Sequence, residues 1–439
     1  MSRAPVPPQR IAVVGSGIAG LGAAWTLHGA GHDVHVYERS AHVGGHTYTV
    51  PIEEPRADGT GAHTRWIDMG FIVHNDWTYP NLIQLLETLE VPVEDSSMSF
   101  SVRSDADDVE YNGTDLNSLF VQRRNLVRPT FLRMIRDILR FHRDAPRVLD
   151  DDQGDLTLAD YLAQHRYRGP FVDWYLVPMT AAIWSTAPDD MDAFPIRTLV
   201  RFLVNHGMLQ VNNRPTWKVI SGGSKTYVEA LVARLGRARV TTDCAVARVE
   251  RDEGGRGVTL RFEGDRPAAR YDQVVIAAHS DQALAMLAAP SAAEQSVLGA
   301  IDYRPNAVVL HTDPRAMPRR RGAWASWNYL LEPEHSAAPR LTYWMNRLQN
   351  LDGPVDYFVT LNPPEGSIDP AAIRVTRTMA HPQFTRDAAQ AQRRWAEISG
   401  RDRVHYAGAY WFFGFHEDGL RSGLRVAEMI GAAARRAAA

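Results

Sequence analysis

The sequence predicts an α/β fold in which a Rossmann-type dinucleotide-binding domain is interrupted by an inserted α+β domain. A short apolar run, Ile11–Val14, leads into a glycine-rich turn and then a helical stretch. Strand-like apolar segments return much later, at 240–278 and 404–409. The long stretches between them have helical or aromatic strand patterns, which indicates that the first domain is completed only after two excursions of the chain.

The glycine-rich turn has the spacing G-x-G-x-x-G directly between the first strand and the first helix. Gly15 permits the tight turn, Gly17 lets a pyrophosphate approach the backbone, and Gly20 lets helix and strand pack closely. Ile18 and Ala19 lie at the start of the helix, where free N–H groups bind phosphate. The order of strand, glycines and helix therefore predicts a dinucleotide site.

An acidic residue follows the second predicted strand, Val34–Tyr37, at the expected distance from the glycines. Glu38 lies about twenty residues beyond the turn, where a carboxylate binds the ribose hydroxyls of an adenine dinucleotide. An acid here favours an unphosphorylated ribose. NAD and FAD both satisfy this pattern.

The pair Gly44-Gly45 follows Glu38 after a short loop. Here the chain resembles the flavin amine oxidase and phytoene desaturase superfamily, in which such a pair lines the FAD diphosphate. The family usually has arginine after the pair, whereas this chain has His46. The resemblance implies FAD as cofactor and the fold of a two-dinucleotide-binding-domain flavoprotein.

Further segments similar to the superfamily extend the resemblance over nearly the whole chain. They imply contacts along the flavin ring, at the adenine, under the dinucleotide and at the last helix. The N-terminus of that helix would stabilise negative charge on the reduced ring. Together with Arg39, beside Glu38, and His46, the implied cofactor-binding residues in these segments are Met69, Gly70, Phe71, Val246, Ala277, Gly408, Ala409, Asp418, Gly419 and Leu420. The chain also resembles a bacterial branch described as predicted NAD/FAD-binding proteins, encoded beside cyclopropane-fatty-acid synthases.

The pattern divides the chain into five segments. We expect the FAD-binding domain to comprise residues 1–76, 215–290 and 401–439, and the substrate domain to comprise a helical part, 77–214, and a sheet-rich part, 291–400. Within the first segment, residues 47–65 carry prolines and glycines among polar residues, which predicts a loop or an excursion with little core.

Residues 119–147 carry an unusual excess of arginine. This stretch contains eight arginines but only two aspartates, and apolar residues recur between them at helical spacing. One interpretation of the basic helix around 123–147 is peripheral contact with an anionic membrane. The other, which describes most surface helices, is an apolar side in the core with arginines in water.

A hydrophobic substrate, a small molecule or a lipid, is indicated by two regions. The predicted helix Phe171–Ser185 is apolar on nearly all sides, and the strands of 291–400 are rich in tryptophan and tyrosine. Asn328 or Asn346 would offer a polar contact. The acidic residues form no pattern that would predict a cationic amine as the substrate.

The leading hypothesis is an FAD-dependent oxidoreductase, a desaturase or oxidase of a methylated or unsaturated fatty acyl chain. Hydride would pass to flavin N5 while a base takes the neighbouring proton. The catalytic candidates are His416 and Glu417, at the start of the last helix, and the aromatic residues Tyr410 and Trp411. The alternatives are a fatty-acid or polyene double-bond isomerase, an amine oxidase, and a flavin-containing lipid-binding partner without catalysis.

The amino-acid composition argues against several other classes of protein. Among 439 residues, 45% are hydrophobic and 23% charged, with a formal charge of -3, which gives no reason to expect nucleic acid. Cys244 is the single cysteine, so an intramolecular disulfide and a cysteine-based zinc cluster are excluded. His42 and His46 flank a glycine loop, not a helical turn, so no metal is expected. We expect a cytoplasmic enzyme, at most peripheral to the membrane, of undetermined oligomeric state.

Overall fold

The computed structural model describes residues 7–55, 61–150, 156–184, 191, 193–332 and 339–438. Ser185, the predicted end of the apolar helix, lies outside these ranges. The strands are β1 (Arg10–Val14), β2 (Asp33–Tyr37), β3 (Thr49–Pro55), β4 (Ala62–Asp68), β5 (Val73–Asn75), β6 (Val93–Asp95), β7 (Phe100–Ser104), β8 (Val109–Asn112), β9 (Trp217–Ile220), β10 (Val240–Thr241), β11 (Val246–Arg251), β12 (Val258–Phe262), β13 (Ala269–Tyr271), β14 (Gln273–Ile276), β15 (Tyr303–His311), β16 (Trp327–Leu331), β17 (Arg340–Trp344), β18 (Phe358–Leu361), β19 (Ile373–Pro382) and β20 (Val404–Tyr406).

Helices connect and cover these strands. They are α1 (Ile18–Gly29), α2 (Pro80–Thr88), α3 (Leu116–Leu119), α4 (Pro129–Asp144), α5 (Leu158–Gln164), α6 (Val177–Trp184), α7 (Ile196–Asn205), α8 (Lys225–Leu235), α9 (Ser280–Met286), α10 (Ala292–Leu298), α11 (Met345–Leu348), α12 (Arg386–Arg393), α13 (Trp395–Ile398) and α14 (His416–Ala438). A π-helical stretch, Val172–Leu176, leads directly into α6.

A parallel sheet with the order β10-β2-β1-β14-β20 forms the centre of the nucleotide-binding part. β1 and β14 are apolar almost throughout because strands covered on both faces have no solvent side. The chain leaves this sheet after β2 and returns with β10, β14 and β20, as the sequence predicts. The α/β fold is confirmed.

A seven-stranded sheet with the order β19-β15-β18-β17-β16-β7-β8 forms the second layer of structure. β7 and β8 form a hairpin, which joins this sheet through the parallel pairing of β7 with β16. The stretches before and after residues 215–290 therefore build one sheet together. β19 was not predicted, because it is an edge strand with a largely exposed sequence.

β3 (Thr49–Pro55) and β4 (Ala62–Asp68) pair as antiparallel strands, so the loop predicted within 47–65 is wrong for these residues. Val50 lies opposite Ile67, and both side chains are buried in the core of the second sheet. Pro51 and Pro55 are tolerated because a two-stranded ribbon leaves one edge of each strand unpaired.

The division of the hydrophobic cores differs from the domain boundaries predicted from the sequence. α2 packs in the core of the nucleotide-binding part, although residue 77 was the predicted start of the other domain. α10, α12 and α13 also contribute to that core, although they lie within 291–400. These helices cover the parallel sheet, whereas the strands between them belong to the second sheet.

The basic stretch 119–147 contains α4, which is shorter than the predicted helix and is flanked by short 3-10 turns. Phe131, Met134 and Phe141 are fully buried on its inner side. No helix in the described ranges is long and apolar enough to cross a membrane.

Candidate active site

The glycine-rich turn is packed tightly on one side and open on the other. Gly15 has φ +102°, and a Cβ there would lie 2.5 Å from the carbonyl oxygen of Ala277. A Cβ on Gly20 would overlap with the carbonyl oxygen of Gly15, so helix and turn are in contact. Nothing lies within 4 Å of the position a Cβ on Gly17 would occupy. The turn thus leaves space at Gly17, beside the start of α1, where a phosphate would bind.

Glu38 lies directly against this turn. Its carboxylate accepts hydrogen bonds from the Ser16 N–H at 3.0 Å and the Ser16 hydroxyl at 2.7 Å, and from the N–H and hydroxyl of Ser40. The Ser16 hydroxyl in turn accepts from the N–H of Gly44 at 3.2 Å. The acid, the glycine turn and the Gly44-Gly45 pair are therefore brought together, and a Cβ on Gly45 would lie 3.0 Å from the Cα of Gly17.

Helices α1 and α14 cross in close contact near their N-termini. A Cβ on Gly423 would overlap with the carbonyl oxygen of Ala19, and one on Gly419 would lie 2.8 Å from Ile18 Cγ2. The Ser422 hydroxyl accepts a hydrogen bond from the N–H of Gly408 at 2.7 Å, which ties the end of β20 to α14. The positive ends of two helix dipoles thus lie beside each other.

The side chain of Leu420 is buried against Gly22 of α1, where it fills the space a Cβ would need. Its assignment to the cofactor site stays a prediction. This leucine stabilises the crossing of the two helices.

Residues 46–48 and 69–71 run side by side. Phe71 N–H donates to His46 O and Met69 N–H donates to Tyr48 O, both at 2.8 Å. A Cβ on Gly70 would overlap with the carbonyl oxygen of His46, which explains the glycine. The Met69 side chain is buried in the second core, whereas the Phe71 ring contacts His416 at the start of α14.

His416, the first residue of α14, is held by two aromatic neighbours. Its ring stacks on Phe71 with 3.7 Å between centroids, and its Nε2 lies 2.8 Å from the hydroxyl of Tyr227. That hydroxyl lies 2.5 Å from Thr47 Oγ1. Burial lowers the pKa of His416 to about 3, so the imidazole is neutral at neutral pH.

Three more rings, each partly buried, lie in a group around His46 and were missed by the sequence reasoning. The centroid of the His46 ring lies 6.0 Å from that of His279 and 5.5 Å from that of His381, and His279 stacks on Tyr303 at 4.2 Å. Burial lowers the pKa of His279 to about 4 and that of His381 to about 3. His279 could have been found from its place just after β14, because ligands bind at the carboxyl ends of parallel strands.

Glu417 has a structural position that argues against its candidacy as a base. Its carboxylate accepts hydrogen bonds from the N–H and side-chain amide of Asn81 and from the N–H of Leu82, at the start of α2. Asp418 accepts from the N–H groups of Phe413 and Phe415 and so closes the loop before α14. Burial raises the pKa of Asp418 to about 7. Both acids are engaged in holding α14 in place.

Tyr410 and Trp411 follow Ala409 in a short 3-10 turn and are buried in the nucleotide-binding core. The Tyr410 ring lies 6.4 Å from that of Tyr303 in an edge-to-face arrangement. The Tyr410 and Trp411 rings are in contact, with 4.8 Å between their centroids.

The remaining predicted contacts lie at the adenine end and in the second sheet. The Glu38 N–H donates to Thr241 O, and Val246, at the start of β11, is buried in the same core. Arg39 is exposed, and its charge helps to lower the pKa of His279.

Asn328 and Asn346 do not offer the predicted polar contact. Asn328 bonds to Ser101, Ala325 and Thr342, while Asn346 bonds to Leu351, Val355 and Tyr357. Both amides are occupied in holding neighbouring chain segments.

A family model described as flavin containing amine oxidoreductase matches residues 18–355. The chain belongs to this family, and its cofactor is FAD. The resemblance and the cofactor predicted from the sequence are thereby confirmed, and the coarse class is that of an FAD-dependent oxidoreductase. The assignment of individual site residues stays a prediction.

Known proteins resemble this chain in sequence or in fold. A Mycobacterium tuberculosis protein named "Putative flavin-containing monoamine oxidase AofH" is 29% identical over 276 residues, which cover 61% of this chain and 56% of the relative. The chain thus spans little more than half of that relative's length. Cyclohexylamine oxidase from Brevibacterium oxydans has a TM-score of 0.65 at 17% identity, covering 97% of this chain and 99% of the other. A CLA-producing fatty acid isomerase from P. acnes has a TM-score of 0.66 at 16% identity, covering 97% and 98%. At these identities the two structures show the fold alone.

The described residues fit FAD. The diphosphate would lie on the turn at Gly17, where the open space is, and the ribose at Glu38. His46 Nε2 is buried without a hydrogen-bond partner in the protein. Buried polar atoms are normally hydrogen-bonded, so this atom indicates that a polar group of the ligand would lie beside it.

The buried neutral histidines predict loss of stability at acid pH. Among them, His279, His381 and His416 have pKa values of about 4, 3 and 3 in the folded protein, below the usual 6.5. The unfolded chain therefore binds more protons below pH 6.5, and stability falls as pH decreases toward the folded values. Asp68 and Asp418, with raised pKa values of about 6 and 7, act in the opposite direction but are fewer. We expect the urea midpoint to fall between pH 7 and pH 5, and an equal or higher midpoint at pH 5 would contradict this balance.

Proposed function

We propose that the protein oxidises a hydrophobic substrate, a fatty acyl chain, as an FAD-dependent desaturase or oxidase. The observation that carries the proposal is the lining near the start of α14. It consists of aromatic rings and uncharged imidazoles: Phe71, Tyr303, His279, His381 and His416. Such a surface favours an apolar, uncharged group at the reacting position.

The apolar lining continues into the helical part of the other domain. Phe413 and Phe415, just before α14, pack with the core of α5, α6 and α7. Phe415 stacks on Phe202 at 4.9 Å, and the indole of Trp184 donates to the carbonyl of Phe413. An acyl chain directed this way would exchange water for apolar surface along its length.

The buried carboxylates near the site are engaged within the protein, which weighs against an ammonium substrate. Asp68 accepts hydrogen bonds from Ser224 and Thr49, and Glu417 and Asp418 hold α14. An ammonium group would therefore lack a free carboxylate partner among these three acids. Burying an unpaired charge is costly.

The chemistry that bound FAD would supply is acceptance of a hydride, which carries both electrons of the oxidation, from one substrate carbon. The residues described above exclude water from the apolar group and hold it in place. We assign to His416 the role of the base that removes a proton from the neighbouring carbon. When Nε2–H donates to the Tyr227 oxygen and Tyr227 O–H donates to Thr47, Nδ1 is left as the proton acceptor. Tyr227 acts as a positioning residue in this arrangement.

Amine oxidation is the second candidate, favoured by the name of the Mycobacterium tuberculosis relative. The two proposals differ in their products. Mass spectrometry of the substrate after turnover would show loss of two hydrogens for desaturation and release of ammonia for oxidation of a primary amine. A moved double bond at unchanged mass would instead identify an isomerase and overturn the leading proposal.

The role of His416 is tested by replacing it with asparagine. Loss of a general base costs typically 10²–10⁴-fold, so we expect the rate constant of flavin reduction in His416→Asn to fall by at least about a hundredfold. Tyr227→Phe should show a smaller fall and a changed pH profile, because the tautomer of His416 is no longer fixed. Both are measured by anaerobic stopped-flow absorbance at saturating substrate.

His311 provides a matched control for these variants. It is also buried with a pKa lowered to about 4, and it bonds to Thr360, but it lies eight residues beyond Tyr303 along β15. His311→Gln should leave the reduction rate near that of the wild type. Reduction by His416→Asn at the wild-type rate would remove His416 from the mechanism.

A further inference from the structure

An exposed strip of leucine and arginine side chains runs along the outer side of α4 and the turn before it. We call it the arginine–leucine surface and define it by Leu126, Val127, Leu132, Arg136, Leu139 and Arg143. Val127 is 78% exposed and Leu139 is 53% exposed, which is unusual for large apolar side chains. The side chains of Arg136 and Arg143 are 70% and 69% exposed.

The spacing places these groups on one side of the helix. Leu132, Arg136, Leu139 and Arg143 follow one another at intervals of three or four residues, so they form one continuous stripe. The opposite side of the helix packs against the protein, because Phe131, Met134 and Phe141 are fully buried in two cores. The helix cannot turn its exposed leucines inward without exposing these residues.

The charge on this surface is not neutralised by its neighbours. Asp137 is buried beneath Arg133, Arg136 and Arg140 and is within 4.0 Å of each of them. Asp144 is likewise shared by Arg143 and Arg147. One carboxylate cannot balance two or three guanidinium groups, so positive charge remains at the surface.

We propose that the arginine–leucine surface docks on a bilayer containing anionic phospholipid. Exposed leucine and valine would enter the headgroup boundary, and the arginines beside them would bind lipid phosphate. An acidic protein or polymer would satisfy the arginines but would not require the apolar side chains. The combination on one helical stripe therefore favours a lipid surface.

The proposed docking stands on these exposures and charges and does not depend on the reaction catalysed. Docking on a bilayer would bring the candidate active site close to a lipid substrate. Phe141 and Ile138, on the inner side of α4, belong to the same apolar cluster as Phe413 and Phe415 beside the candidate active site. The membrane-facing helix and the site therefore share one apolar core.

Vesicle co-sedimentation of the FAD-loaded protein tests this proposal. We expect binding to equimolar phosphatidylglycerol–phosphatidylcholine vesicles to exceed binding to phosphatidylcholine alone at least tenfold, and to weaken as NaCl rises from about 0.05 M to about 0.5 M. Reversal of two surface charges in R136E/R143E should weaken binding at least tenfold. L132S/L139S should weaken it several-fold while keeping the arginine-dependent response to salt.

Two control variants match these changes elsewhere on the surface. R248E/R261E makes the same change in net charge at arginines that are 56% and 57% exposed and share Glu250. V211S removes an apolar side chain that is 65% exposed. Both should bind vesicles like the wild type. Equal losses in these controls, wild-type binding by L132S/L139S, or heparin binding as tight as vesicle binding would overturn the proposal.

Discussion

A Gly17→Asp variant is expected to fold but to purify without FAD. The space at Gly17 accepts a side chain, since nothing lies within 4 Å of the Cβ position. The new carboxylate would, however, lie where the diphosphate binds. Two unit charges 4 Å apart interact with about 4 kcal/mol at an effective dielectric constant of 20, which corresponds to about a thousandfold in affinity. The ratio of flavin absorbance to protein in the purified variant measures the effect.

Gly29→Asp is the matched control for this variant. Gly29 ends the same helix, α1, and also has open space at its Cβ position, but it lies at the far end from the glycine turn. The control should retain full flavin occupancy, and both variants should unfold in urea near the wild-type apoprotein. Full occupancy in Gly17→Asp would show that the diphosphate does not lie on this turn.

A Gly423→Ala variant is expected to lose about 3 kcal/mol of unfolding free energy. The added Cβ would overlap with the backbone oxygen of Ala19, which no side-chain movement can relieve. Overpacking that requires a backbone shift costs typically 1–3 kcal/mol, occasionally more, and here two helices must separate. Flavin occupancy should fall as well, because the N-terminus of α14 moves away from α1.

Urea denaturation of the apoprotein and of the FAD-loaded form measures both effects of Gly423→Ala. Gly29→Ala serves as the control, since an alanine there meets no atom within 4 Å and should leave stability unchanged or slightly raised. A Gly423→Ala protein as stable as the wild type would contradict the tight crossing of α1 and α14.

The nucleotide site was predictable because its signals are local. The turn at Gly15–Gly20, the strand before it and Glu38 after it lie within thirty residues, and each is required by the same turn and helix geometry. In the structure, Glu38 and Ser16 are hydrogen-bonded to each other, which places the acid against the glycine turn. The order of later segments then predicted the return of the chain to the same sheet.

The cluster of histidines around His46 was not predictable in the same way. His46, His279 and His381 come from three distant segments, and His381 lies on an edge strand whose sequence has no clear apolar face. Their proximity depends on how the two sheets meet, which no local pattern encodes. A histidine in a sequence also gives no sign of whether its ring is buried and neutral.

Glu417 is a residue for which the sequence suggested a catalytic role that its structural contacts argue against. Its place at the start of a helix near the flavin made it a reasonable base from the sequence. Its actual partners are Asn81 and Leu82, more than three hundred residues earlier, whose N–H groups open α2. Only the packing of α2 against α14 reveals that this carboxylate is occupied.

His46 is the local departure from the family pattern with the clearest physical consequence. Where the superfamily usually has a permanently charged arginine, this chain has an imidazole whose pKa is lowered by burial. Its Nε2 has no protein partner. We expect this neutral group to contact the cofactor without adding a fixed positive charge, which fits an uncharged substrate near the ring.

Anaerobic titration of the oxidised protein, followed by the visible absorbance of its flavin, tests the central claim most directly. Phospholipids with unsaturated or methylated acyl chains are added first, and primary amines are added to a separate sample. The proposed function predicts that lipid alone bleaches the flavin and that the recovered acyl chain has lost two hydrogens. Bleaching by an amine but not by any lipid would contradict it and would identify the protein as an amine oxidase.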